Sequence, residues 1–215
     1  MVSEKVKKNG DIKMERKIVD IRREEIINSC EKLYETENFK DITIKHIGEN
    51  TSFSRTSIYN YFQTKEEIFL ALFQREYEKW IDDLDKVYDG NDELTKEEFA
   101  SKLAHTIEKR PTLLKLLSMN LYDMEENSRM EALVDFKVAY GNSIKTVKKY
   151  LDKFSITRNE QEKNEFIFSF FPFMYGIYPY TFVTEKQKEA MEKAGVPFEY
   201  LTIYDIAYKG ILKLL

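Results

Sequence analysis

Apolar residues recur along most of this chain at the three- and four-residue spacing of amphipathic helices. One such stripe lies between Met14 and Glu35, and a longer one runs from Lys65 to about Tyr88. Further stripes follow helix-start signals at Thr95, Pro111, Ser128, Asn159, Thr184 and Pro197. No proline precedes Pro111 and glycine is scarce, which favours long helices. The pattern therefore predicts an all-α protein.

The segment from Thr43 to Lys65 predicts two short helices joined by a tight turn. Thr43 is suited to cap the first helix, and the polar residues 50–52 interrupt its apolar pattern. Ser54 is suited to cap the second helix, whose buried face would consist of Ile58 and Phe62.

The remaining residues of the second predicted helix form a short polar face with donors, acceptors and flat rings. Side chains of these types contact base edges and phosphates when a recognition helix enters the major groove of DNA. A helix-turn-helix can also be a purely structural corner of a helical protein, so spacing alone leaves both interpretations open. The polar face consists of Arg55, Thr56, Ser57, Tyr59, Asn60 and Tyr61.

Three stretches of this region resemble the DNA-binding signature of the TetR (tetracycline-repressor) family of bacterial transcription regulators. They are Ile-Thr-Ile at 42–44, Phe-Ser-Arg-Thr-Ser-Ile-Tyr-Asn-Tyr-Phe at 53–62 and Thr-Lys-Glu-Glu-Ile at 64–68. The resemblance extends upstream from Phe39 to Arg23. Two positions depart from the family pattern: Thr51-Ser52 stands where the family usually has Ala-Gly, and Gly48 where it usually has Ala.

The resemblance implies a three-helix DNA-binding domain at residues 14–63. The polar, Lys-rich composition of residues 1–13 predicts a flexible tail before it. The resemblance also implies a larger helical domain for ligand binding and dimerisation at 64–215. Base edges would be contacted by Arg55, Thr56, Ser57 and Asn60, and phosphates by Thr43, Tyr59, Tyr61 and Lys65, with Lys45 as a further candidate.

Residues 166–182 are the most aromatic stretch of the chain, with nine Phe or Tyr among seventeen residues. Pro172, Gly176 and Pro179 are expected to kink or end its helix. Such a stretch can form a core and dimer helix, or it can line a cavity for a mostly apolar ligand. With the family resemblance, the expected ligand-binding residues are Trp80, Met119, Tyr122, Phe170, Phe173, Met174, Tyr175 and Tyr178.

The last helix carries more apolar positions than a monomer would bury, so it predicts a homodimer formed through the last helices. The resemblance then implies a regulator, expected to be a repressor, that a small hydrophobic or amphipathic ligand releases from a palindromic DNA operator. The alternative is a dimeric helical module for DNA or protein interaction without small-molecule control.

Composition limits the other functions. The net charge is −4, but residues 1–70 carry thirteen basic and thirteen acidic residues, so the deficit lies beyond them. A single cysteine, Cys30, at helical spacing in the first stripe is expected to be a buried core residue. We expect no catalytic residues, no metal site and no cofactor. No signal peptide or membrane span is visible, so we expect a cytoplasmic protein with no membrane partner.

Overall fold

The computed structural model describes residues 2–215, and for residues 2–13, 15 and 16 it describes the backbone only. The described residues form eleven α-helices and no strands, as the hydrophobic pattern predicts. They are α1 (Val2–Thr36), α2 (Ile44–Glu49), α3 (Arg55–Ile58), α4 (Lys65–Tyr88), α5 (Lys96–Glu108), α6 (Pro111–Leu117), α7 (Leu121–Glu126), α8 (Met130–Lys153), α9 (Glu160–Thr181), α10 (Glu185–Ala194) and α11 (Ile203–Leu214).

Helix α1 begins well before the predicted start at Met14. Residues 2–13 include good helix formers such as Lys and Glu, which explains why a helix is compatible with this polar stretch. The flexible tail predicted at residues 1–13 stays a prediction, because the side chains of these residues lie outside the described part of the structure.

The chain divides into two compact units. Unit 1 contains residues up to Leu72 together with Tyr122–Asp135, and unit 2 contains Phe73–Leu121 and Phe136–Leu215. This division differs from the predicted boundary after residue 63, because the start of α4 and a later segment both belong to unit 1.

Unit 1 has a small apolar core formed by α1, the short helices α2 and α3, and the start of α4. Cys30 is fully buried there, as predicted. The ring of Phe69 makes two edge-on contacts in this core. Its centroid lies 5.1 Å from that of the Tyr34 ring and 4.8 Å from that of the Phe39 ring.

A buried ion pair ties the segment 122–135 to the start of α4 within unit 1. The Glu67 side chain is 1% exposed and accepts from Arg129 Nε at 2.6 Å and Nη2 at 2.8 Å. The backbone N–H groups of Gln63 and Arg129 donate to the same carboxylate at 2.8 and 3.1 Å. Burial alone would raise the pKa of Glu67, but these hydrogen bonds and the guanidinium charge outweigh burial and lower it.

In unit 2, helix α11 packs against α5 and α9. Gly210 of α11 makes this approach possible, because a Cβ at that position would lie only 2.2 Å from Cζ of Phe173 in α9. The Phe173 ring thus occupies a notch that the missing side chain leaves open.

Helix α9 continues through Pro172 and Pro179 to Thr181, so the prolines do not end it, and the kink expected at them stays a prediction. Each proline lacks the N–H that would bond the carbonyl four residues earlier, here that of Phe168 or Tyr175. All four residues lie on the exposed face, so the cost of the missing bonds is moderated by access to solvent. The buried face, with Phe170 and Met174, is uninterrupted.

The last helix begins at Ile203 and not at Pro197 as predicted, because Thr202 and Asp205 form a reciprocal capping box. The predicted helix starts at Thr95 and Thr184 are confirmed, and α10 ends at Gly195 in a left-handed conformation. No single helix in residues 2–215 is long and apolar enough to cross a membrane. Helices α9 and α10 pass that test only when joined, and they are bent by 86° at the break between them.

Candidate nucleic-acid interface

The two short helices of unit 1 form the predicted helix-turn-helix. Thr43 Oγ1 accepts from the backbone N–H of His46 at 3.2 Å, which confirms Thr43 as the cap of α2. Helix α3 is shorter than predicted, and the chain continues past it in a turn closed by Tyr61 N–H and Ile58 O at 2.8 Å. Ile58 and Phe62 are both buried, as their spacing predicted.

Five of the predicted DNA-binding side chains point outward from this motif. Arg55 and Tyr59 lie near each other, with Arg55 Nη2 3.5 Å from the Tyr59 hydroxyl. Tyr59 is 46% exposed, so its ring and hydroxyl are accessible to a partner. The outward set is Lys45, Arg55, Thr56, Tyr59 and Asn60.

Two of the residues predicted to contact DNA are also held within unit 1. The Ser57 hydroxyl lies 3.0 Å from that of Ser54. The Tyr61 hydroxyl accepts from Arg22 Nη1 at 3.3 Å, and its backbone carbonyl accepts from Arg23 Nη1 at 3.4 Å.

Lys65, at the start of α4, neither points freely outward nor bonds another side chain of the motif. Its Nζ donates to the carbonyl oxygens of Phe39 and Ile42 at 2.8 and 3.1 Å, and it lies 4.1 Å from the centroid of the Phe39 ring. The ammonium group therefore holds the α1–α2 connection against α4. A phosphate contact by Lys65 would have to share or replace these bonds.

The turn between α2 and α3 is held by polar side chains. The Thr51 hydroxyl lies 3.0 Å from Gly48 O and 3.1 Å from Phe53 O and can donate to either. Glu25 of α1 accepts from both the backbone N–H and the hydroxyl of Ser52, the latter at 2.9 Å. Ser52 does not adopt a positive φ.

Sequence reasoning did not identify Arg22, Glu25 and Ser29 as supports of this motif. Ser29 Oγ donates to Ile47 O at the end of α2, at 2.8 Å, in a buried position. The three residues are spaced by three and four along α1 and therefore lie on one face. Polar residues at that spacing, beside the apolar stripe of Ile26 and Cys30, were the signal available in the sequence.

The predicted ligand-binding residues fall into different environments. Trp80, Phe170 and Met174 are fully buried in unit 2, and the Trp80 and Phe170 ring centroids are 6.4 Å apart. Trp80 Nε1 donates to Thr106 Oγ1 at 2.9 Å, which satisfies the only polar atom of that side chain. These three residues therefore form packed core.

The other five are less buried. Met119, Phe173 and Tyr178 are half-buried, and burial raises the pKa of the Tyr178 hydroxyl. Tyr175 is 36% exposed, and Tyr122 belongs to unit 1, where it is 77% exposed. Within unit 2 the structure brings the rings of Trp80 and Phe170 together.

A surface cavity of about 570 Å³ lies beside α10, and none of the eight predicted ligand-binding residues lines it. Lys188 pairs with Glu185 at 2.7 Å and lies 5.4 Å from the Tyr200 ring centroid. Among the described side chains, no group of three His, Cys, Asp or Glu is placed to hold a metal ion.

Two protein-family models match this chain. The model of the tetR family of bacterial regulatory proteins matches residues 26–72, and that of the tetracyclin repressor-like C-terminal domain matches residues 74–199. The curated proteins include no match to the sequence.

Solved structures share the fold. The fatty acid degradation regulator FadR from Bacillus halodurans is 14% identical, with a TM-score of 0.59 over 90% of this chain and 94% of that chain. A protein assigned to the TetR family from Mesorhizobium loti MAFF303099 is 12% identical, with a TM-score of 0.59 over 92% and 96%. The Thermus thermophilus repressor FadR, solved in complex with lauroyl-CoA, is 15% identical, with a TM-score of 0.54 over 90% and 93%.

An all-α chain with an N-terminal helix-turn-helix and a polar, exposed recognition segment defines a helix-turn-helix transcription regulator. The C-terminal family match alone covers more than half of the chain. The protein belongs to the TetR family, and it is a DNA-binding transcriptional regulator.

Proposed function

We propose that this regulator is a homodimeric repressor, and not an enzyme, that leaves a palindromic operator when a small apolar or amphipathic ligand binds. The observation that carries the proposal is the outward polar set on α2 and α3 in a chain of the TetR family. It would act in the cytoplasm, where bacterial DNA lies.

In this proposal Arg55, Thr56, Ser57 and Asn60 contact base edges. This assignment is supported by the exposure of Arg55 and Thr56 on α3 and of Asn60 just after it. Phosphates are held by the hydroxyls and ammonium groups of Thr43, Lys45, Tyr59, Tyr61 and Lys65. The neutral balance of residues 1–70 implies a modest salt dependence of binding, since few phosphates are neutralised.

Dimerisation is supported by an exposed apolar stripe on α9. Phe168 is 74% exposed and Phe182 is 50% exposed, with Tyr175 between them and the two exposed prolines in the same row. Spacings of three and four residues place all five on one side of the helix. A face of this kind is costly to leave in water, and a second copy of the chain would cover it.

Replacing Phe168 with aspartate is therefore expected to shift the protein from dimer to monomer at micromolar concentration, because it places a charge in the proposed interface. Sedimentation velocity measures the change. Ser169→Asp is the matched control, since Ser169 is also exposed but lies about 100° further round the helix. Equal dimerisation of both variants would contradict this interface.

For the effector, the T. thermophilus relative in complex with lauroyl-CoA suggests the class of acyl-chain amphiphiles as the first to test. Among the predicted ligand-binding residues, Tyr178 is half-buried and presents both a ring and a hydroxyl, which suits an amphipathic ligand. The second candidate function is a dimeric module without small-molecule control. It is favoured by the full burial of Trp80, Phe170 and Met174, whose core leaves little room unless side chains move.

The test is selection of bound sequences from a random DNA library with the purified protein, followed by displacement from the enriched site with acyl-CoA thioesters of increasing chain length. An enriched palindrome and chain-length-dependent displacement would support the repressor. Enrichment without displacement by any apolar compound would favour the module, and the absence of enrichment from a folded dimer would contradict sequence-specific binding.

A further inference from the structure

One face of helix α1 makes three polar contacts with the helix-turn-helix and the residues after it. Ser29 bonds the end of α2, Glu25 bonds the turn, and Arg22 bonds the Tyr61 hydroxyl that follows α3. Glu25 is the member of this row that contacts the connection between the two helices. Its carboxylate accepts from two donors of a single residue, Ser52.

This contact lies at the position where the chain departs from the usual family pattern. A Gly in the turn can readily adopt a left-handed backbone conformation. Ser52 does not adopt one here, because its φ is not positive. In this conformation the Ser52 N–H has a side-chain carboxylate as its acceptor. Glu25 supplies that acceptor from a different helix.

We propose that Glu25 is a positioning residue for DNA recognition: by clamping Ser52, it sets the angle at which α3 leaves the turn and thus the placement of Arg55 and Asn60. The inference rests on the proposed use of these residues to contact base edges. A carboxylate beside a DNA-binding surface repels phosphate, so by charge alone Glu25 would weaken DNA binding.

The test measures affinity for the selected operator and for random DNA in variants of the full-length dimer. Glu25→Ala is expected to lower operator affinity by about tenfold, because hydrogen bonds to a charged acceptor are lost. Glu25→Gln retains an acceptor for the Ser52 N–H and a donor for its hydroxyl, and it is expected to keep operator affinity within about threefold of the parent. Glu25→Asp keeps the charge but lacks one methylene of reach, so it should lose as much as alanine.

A second background isolates the turn. With Thr51→Ala and Ser52→Gly, the hydroxyl donor is removed and only the backbone N–H of residue 52 is left to donate to Glu25, so adding Glu25→Ala is expected to cost less operator affinity than it does in the parent. Glu35→Ala removes an exposed charge of the same sign from α1 and serves as the control. Thermal unfolding of every variant verifies that the comparison is made between folded proteins.

Two results would overturn the inference. One is that Glu25→Ala and Glu25→Gln bind both DNAs more tightly, which is the behaviour of a repelling surface charge. The other is that Glu25→Ala lowers affinity for random DNA as much as for the operator, because a change in the placement of base-contacting residues would affect the operator more. If the parent protein enriches no sequence, the proposed function fails; if it does and Glu25→Ala binds as the parent does, only the positioning role fails.

Discussion

Replacing Arg55 with alanine is expected to lower the ratio of operator affinity to random-DNA affinity by about 5- to 150-fold per recognition helix. That range corresponds to the ~1–3 kcal/mol that one good base contact contributes to discrimination. Arg55 is exposed at the first position of α3, and its Nη2 lies 3.5 Å from the Tyr59 hydroxyl. Competition binding with labelled operator and random duplex measures the ratio directly.

Lys45→Ala is the matched control for Arg55. Lys45 is also exposed and cationic, but it lies on α2, 3.8 Å from Glu49, in a position proposed to contact phosphate. Its loss is expected to weaken binding to both DNAs equally and to reduce the salt slope by about one. If both substitutions lower affinity equally on operator and random DNA, Arg55 does not contact a base.

The second large effect is expected from Arg129→Ala, which leaves the buried Glu67 carboxylate without its counter-ion. Removing one partner of a buried pair costs on the order of 3–5 kcal/mol, and we expect about 3 here because Arg129 itself is 45% exposed. Urea unfolding at pH 7 measures the loss. Arg158→Ala, which breaks an exposed pair with Glu162, should cost less than about 0.5 kcal/mol.

The same pair makes a prediction about pH. The folded-state pKa of Glu67 is lowered, so its stabilisation is complete above the unfolded pKa, near ~4.3, and is lost as the pH falls through the lower folded value. The difference in free energy of unfolding between parent and Arg129→Ala should therefore be largest near neutral pH and shrink below pH ~4. A difference that grows on acidification would contradict the assigned role of the ion pair.

Features set by residues close in sequence were predictable. The caps at Thr43, Thr95 and Gly195 depend on residues within one helical turn, and so does the burial of Ile58 and Phe62. The start of α11 was misplaced because proline and a Thr-x-x-Asp box are competing start signals only five residues apart, and the box formed.

Features that join distant residues were not predictable from one sequence. The contact of Glu67 with Arg129 and that of Glu25 with Ser52 cross long stretches of chain, and neither leaves a local pattern. The same limit applies to Trp80, whose apolar character fits a core and a ligand cavity equally well. Only its packing distinguishes the two, and it is fully buried with its indole N–H bonded to Thr106.

The notch at Gly210 has a consequence for the evolution of this chain. Because the Phe173 ring takes the space that a side chain at residue 210 would need, neither position can change size alone without repacking. Close homologues with alanine or a larger residue at 210 should therefore carry a residue smaller than phenylalanine at 173. Paired substitutions at these two sites would mark the branch of the family whose last helices approach each other in this way.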